Sequence, residues 1–153
     1  MTTVRIIQIV ALLLALAWAG TIWWVNGIPG SDLPRISWVN NIPHFDKIVH
    51  FGMYAILGAF AWGATALGTP AGSRQWYGWS GMTILLPAIF GAFDEWRQGS
   101  VPGRSASMAD WYADAAGAIV AVVLLMVIHL AWTKWRERKE IAGSEQPELE
   151  PAI

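Results

Sequence analysis

The sequence predicts an all-α fold: an integral membrane bundle of four transmembrane helices with a short disordered C-terminal tail. Three observations predict it. The 153 residues are 55% hydrophobic and only 14% charged, where a soluble domain carries roughly a quarter charged residues. The apolar residues fall into four long segments separated by turn signals. The ionisable residues gather at the ends of those segments and leave their middles almost free of charge.

The first segment runs from about Val4 to Val25, with Arg5 at its start and Trp18, Trp23 and Trp24 toward its end. About 20 residues cross a bilayer core, and Trp favours the interface. Ala17-Trp18-Ala19 has the small-x-small form of a signal-peptide cleavage site. The apolar run nevertheless continues through Trp23-Trp24-Val25 with no polar region, so a retained helix is expected. Residues 26–45 form the first loop, marked by Asn26-Gly27-Ile28-Pro29-Gly30, Pro34, Asn40-Asn41 and Pro43. Ile28, Leu33, Ile36, Trp38 and Ile42 make this loop amphipathic, which suits an interfacial position.

The second helix is expected over 46–67, with Asp46, His50 and Tyr54 on one stripe at four-residue spacing. Gly52, Ala55, Ala59 and Gly63 offer small residues for close helix packing. The third helix spans 76–98, contains Pro87 and Gly91, and ends in Asp94, Glu95, Arg97 and Gln98. Proline removes a backbone hydrogen bond and kinks a helix. The fourth spans 110–132, with Ser107 as N-cap, Asp110 as its capping-box partner, and Ala113, Gly117 and Ala121 as a second small face. These helices make one transmembrane domain, 1–133, followed by a cytoplasmic tail, 134–153.

Lys134, Arg136, Arg138 and Lys139 form the strongest basic cluster, so the C-terminus is expected in the cytoplasm. Four spans put the N-terminus there too. Alternation then brings the start of helix two, the end of helix three and the start of helix four to the same, outer, face. One polar site therefore draws on three separate stretches: Asp46, Lys47 and His50; Asp94, Glu95, Arg97 and Gln98; Asp110 and Asp114. Ionisable groups beside a bilayer are costly, which makes such a cluster a functional-site hypothesis.

Within the cluster, Asp94 and Glu95 point about 100° apart around their helix. A carboxyl at an apolar border suits a general acid or base; the same two acids also suit a buried ion network with Lys47, Arg97 or Arg104. Asp46 and His50, four apart, suit a carboxylate-oriented imidazole or, with Glu95 or Asp94, a divalent cation site. Arg104 follows the turn pair Pro102-Gly103. It suits recognition of phosphate or carboxylate, or a salt bridge to Asp110 or Glu95. Asp110 favours its helix N-terminus electrostatically, while Asp114 lies deeper. His129, near the inner end, reads as structural.

A net charge of −1 argues against a nucleic-acid partner, and the lack of cysteine excludes disulfides and thiol chemistry. No paired-His metalloprotease motif or basic lipid-phosphatase signature is present. The candidate catalytic residues are Glu95, His50, Asp46 and Asp94. The candidate binding residues are Arg104, Gln98, Tyr54, Asp110, Asp114 and Lys47. A divalent metal is a candidate cofactor. The expected partners are membrane lipids and a lipid-linked or amphiphilic envelope ligand. The rival readings are a non-catalytic binding or shielding protein and, ranked last, a small transporter.

Asp46-Lys47-Ile48-Val49-His50-Phe51 with Tyr54 and Gly58, then Asp94-Glu95-Trp96-Arg97-Gln98, Pro102-Gly103-Arg104, Ser107, Asp110 and Gly117 resemble the VanZ-like family in order and spacing, over roughly residues 46–120. Four residues after the Asp of the fourth helix the family pattern usually has Asn; this chain has Asp114. The resemblance implies a multi-helix cell-envelope membrane protein related to one that confers teicoplanin resistance.

Overall fold

The computed structural model describes residues 2–32 and 42–144. Leu33, Pro34, Ile36, Trp38 and Asn40-Asn41 of the first loop lie outside the described residues, as does the tail from residue 145. Among the described residues there are four α-helices and no strand: α1 (Thr3–Asn26), α2 (Phe45–Thr65), α3 (Arg74–Gln98) and α4 (Met108–Ser144), with a single 3-10 turn at Gly30–Asp32. Successive helices run antiparallel. At one end Asn26 of α1 bonds to Asp94 near the end of α3, and Lys47 of α2 pairs with Asp110 at the start of α4. At the other end, Trp76 at the start of α3 bonds to His129, deep in α4.

Three helices, α1, α2 and α4, are long and apolar enough to cross a membrane. α3 has 25 residues but is interrupted by Ser80, Thr83 and Pro87. Its burial pattern explains how so mixed a helix sits in the bundle. The buried positions are Trp76, Ser80, Thr83, Pro87, Gly91, Asp94, Glu95 and Gln98, which recur at three- and four-residue steps and make one mostly polar stripe. Leu85, Leu86, Ile89 and Phe93 are exposed on the other side, each at least half. A water-soluble helix has the opposite arrangement. Trp62 Nε1 donates to Ser80 Oγ at 3.0 Å, so one inward polar group of α3 is met by α2.

α1 is apolar almost all round and buries only Ala15, Ile22 and Asn26. It is joined to α2 by Trp18 Nε1, which donates to the Met53 carbonyl at 2.8 Å. The tightest contact lies between α2 and α4. A Cβ on Gly117 would strike the Phe51 carbonyl oxygen, and one on Gly58 would lie 3.1 Å from Ala118 Cα. Small residues permit such an approach where no hydrophobic force drives helices together. The other small positions of α2 differ: Gly63 faces Ala11 of α1, and Gly52 faces open space.

α4 differs from expectation at its C-terminal end. Rather than stopping near Trp132, it continues unbroken through the basic cluster to Ser144, 37 residues in all. At about 1.5 Å per residue this is about 55 Å, against a hydrocarbon core of about 30 Å. Lys, Arg and Glu are good helix formers, Arg136 and Glu140 are spaced for an i,i+4 pair, and the Lys139 ammonium sits 4.4 Å from the Trp135 ring centre. Charge alone does not end a helix; in this stretch it sustains one.

Candidate functional site

The site lies where α2 begins, α3 ends and α4 begins. His44, with φ of 57°, turns the chain into α2. One turn further, His50 and Tyr54 lie on the buried stripe that faces α4 and α3. His50 Nδ1 lies 3.0 Å from Asp114 Oδ1, and both residues are buried. Asp46 does not take the orienting role its spacing suggests. It bonds to its neighbour Lys47 at 2.8 Å, and its side chain is 60% exposed. The close approach at Gly117 brings Asp114 to His50, while Asp46 stays at the rim. Lys47 Nζ also reaches Asp110 Oδ1 at 2.7 Å and thereby links α2 to α4.

Glu95 and Asp94 face different partners, as adjacent helical positions must. Glu95 Oε2 accepts from the Ser107 backbone N–H at 2.6 Å. Ser107 caps α4, its Oγ accepting from the Asp110 N–H at 3.3 Å. Half of the predicted capping box is thus present. Its other half, the bond back to the cap's own N–H, comes from Glu95 on α3, which frees the Asp110 carboxylate for Lys47. Glu95 also brings negative charge to the N-terminal end of the α4 dipole. Asp94 points away from this group. It accepts from Asn26 Nδ2 and from Arg97 at 3.0 Å, and it is 1% exposed. Arg97 donates to the Trp23 carbonyl and lies 3.8 Å from the centre of the Trp23 ring. Asp94 therefore belongs to a clamp that ties the end of α1 to α3.

The structure thus brings His50, Asp114, Glu95, Asp110 and Lys47 together. Tyr54 and Gln98 are buried beside them. Arg104 sits in the 99–107 connection and makes no ion pair among the described residues, so neither Asp110 nor Glu95 is its partner. The loops also meet: the Gly30 N–H donates to the Pro102 carbonyl at 3.0 Å. At Gly103, φ of 72° makes the turn that glycine allows.

Several buried polar atoms have no hydrogen-bond partner among the described residues: Tyr54 Oη, Glu95 Oε1, Gln98 Nε2, Asp114 Oδ2, and the Nε atoms of Arg97 and Arg104. Buried polar groups are nearly always satisfied, so these atoms stand out. Beside them runs a cleft of about 410 Å³, lined by Ala92, Trp96, Met108 and Trp111 with Glu95 and Ser107 as its polar members. Trp111 Nε1 donates to the Ala88 carbonyl at 3.0 Å and ties α4 to α3 along this cleft.

Sequence reasoning missed two contributors. Asn26 reads as a turn residue, yet it is 2% exposed and bonded to Asp94. Gly91 is read only as a glycine near Pro87 in the third helix, yet a Cβ there would lie 3.0 Å from Asp114 Oδ2 and 3.2 Å from the Tyr54 ring. Its lack of a side chain makes room for both. The step of three from Gly91 to Asp94 along the buried face of α3 is the one signal that could have suggested it.

Fold and site together define a small helical membrane protein with a buried acid–imidazole cluster at one end of its bundle. The VanZ/LLP1 family model matches residues 5–129, and the chain belongs to that family. The match takes in α1 to α3 and α4 as far as His129, and so includes every residue of the cluster. No curated protein and no solved structure matches the chain.

Proposed function

We propose that the protein crosses the cell membrane four times, with both termini in the cytoplasm, and that its acid–imidazole end faces outward. There it performs acid–base chemistry on a membrane-borne amphiphile with an anionic head group, of the kind represented by lipid-linked cell-wall precursors. The inverted polarity of α3, polar within and apolar without, supports the fourth span. The basic helical extension from Lys134 supports the orientation. The observation that carries the chemical reading is Glu95: a buried carboxyl with one oxygen committed to Ser107 and the other unpartnered, at the wall of an apolar cleft. In this reading the acyl part of the substrate lies along Trp96, Met108 and Trp111. Its head group meets Glu95 as acid or base, with His50 beside it and Arg104 offering its guanidinium to the anion.

The orientation is checked by labelling. The chain has no native cysteine, so Ser100→Cys is expected to react with an impermeant thiol reagent added outside and Gly72→Cys is not; the reverse pattern would invert the topology. The chemical reading is checked by teicoplanin susceptibility of a sensitive Gram-positive host expressing wild type or Glu95→Gln at matched levels. Gln keeps an oxygen for the Ser107 N–H but cannot exchange a proton. General acid–base groups contribute about 10²–10⁴-fold to rate, so resistance conferred by the wild type is expected to vanish in the variant. Resistance that persists would favour the second reading, a protein that binds or shields without chemistry. The Asp94–Arg97–Asn26 clamp favours that reading to this extent: part of the polar end ties α1 to α3.

A further inference from the structure

We propose that His50, Glu95 and Asp110 bind one divalent transition-metal cation, with Asp114 as the positioning residue for His50. The three offer a ring nitrogen and two carboxylate oxygens that lie within 4.8 Å of one another, and all three are buried. They come from three different helices, so the pocket exists only in the folded bundle.

The hydrogen bonds already present leave the right atoms over. Asp114 holds His50 at Nδ1, which leaves Nε2 as the ring nitrogen with a lone pair to give. A carboxylate on the far nitrogen is the usual support for a metal-bound imidazole. Ser107 occupies Glu95 Oε2, and Lys47 occupies Asp110 Oδ1. Glu95 Oε1, on a residue 6% exposed, has no hydrogen-bond partner among the described residues. An acidic cluster alone would not point to a cation, but a buried carboxylate oxygen with nothing to meet does.

Charge points the same way. When ionised, Glu95, Asp110 and Asp114, with Asp46 at the exposed rim, face one ammonium, that of Lys47, so four negative groups stand against one positive group. A divalent cation offsets most of that excess, which a buried site at the end of a membrane bundle favours. One imidazole and two carboxylates suit Zn²⁺ or Mn²⁺ better than Ca²⁺, which takes six to eight oxygens. Three protein ligands leave a coordination position open, as catalytic sites do. Ligand atoms about 2.0–2.2 Å from the metal stand about 3.4 Å apart in a tetrahedron, so binding draws the three side chains together.

This inference rests on the reading of the cluster as the functional site and makes Glu95 a ligand in place of a free acid or base; its test needs no activity. Tag-free full-length protein in detergent, stripped with chelator, is titrated with Zn²⁺ and with Mn²⁺ by calorimetry. One equivalent is expected to bind. Glu95→Gln and His50→Ala are expected to weaken binding by at least tenfold, and Asp114→Asn by about tenfold. Glu137→Gln, on the extension of α4, leaves it unchanged. X-ray absorption on Zn²⁺-loaded wild type guards against variants that fail to fold. It is expected to show one imidazole and oxygen donors. Absent stoichiometric binding, affinity unmoved in Glu95→Gln, or two imidazoles at the metal would each overturn the site. Stoichiometric binding with resistance intact in Glu95→Gln would uphold the metal site and remove the chemical reading. Lost resistance without metal binding would do the opposite.

Discussion

Gly117→Leu is expected to lower the stability of the detergent-solubilised bundle by about 3 kcal/mol or more, the upper range for forcing extra atoms into a packed interface. The first added carbon already collides with the Phe51 carbonyl oxygen and stands 3.0 Å from the Ala55 nitrogen. Both are helix backbone, and neither can rotate aside. α2 and α4 must separate, and the 3.0 Å contact of His50 with Asp114 is lost with them. Gly52→Leu is the matched control, since a Cβ at Gly52 meets nothing within 4 Å. Thermal unfolding followed by circular dichroism should show a large drop for the first variant and little change for the second. Equal melting temperatures for the two would mean that the α2–α4 contact is looser than described.

Arg97→Ala is expected to cost about 3 kcal/mol, the lower end of the range for breaking a buried ion pair, because the Arg97 side chain keeps 21% of its exposure. The change strands Asp94, 1% exposed, with Asn26 as its remaining partner. It also removes the guanidinium from the Trp23 ring and the Trp23 carbonyl. Most of the cost is the stranded carboxylate, which yields a sharper expectation. Adding Asp94→Asn to Arg97→Ala should recover part of the loss. If the double variant is less stable than Arg97→Ala alone, the penalty comes from lost packing on Trp23 rather than from unpaired charge. Either way α1 is loosened from α3, and limited proteolysis near Gly27 should quicken.

Of the stripe Asp46–His50–Tyr54 read from the helical period, His50 and Tyr54 are buried on one face while Asp46 is exposed at its rim. The convergence of acids at one end is legible in the sequence, because alternating helices must bring those stretches together. The pairings are another matter. Asp46 and His50 share spacing but not a bond, since a first-turn carboxylate beside a lysine has a nearer partner. Asp94 and Glu95 are equivalent on paper; Asn26 claims one and the cap of α4 claims the other. The length of α4 was misjudged for a different reason. A run of Lys, Arg and Glu signals the edge of the bilayer, and that edge need not coincide with the end of the helix.

The sequence by itself therefore determines the helical membrane class, the number of helices and the end of the bundle at which the polar residues gather, because composition and periodicity are properties of each segment alone; the family rests on the resemblance of its motifs and on the family match. Only the tertiary structure decides that Asp114 rather than Asp46 holds His50, that Glu95 completes the cap of α4, and that Asp94 is spent on α1. Periodicity sets the direction in which a side chain leaves its own helix. What stands opposite depends on how closely a second helix can come, and at Gly117, Gly58 and Gly91 that distance is set by side chains that are not there.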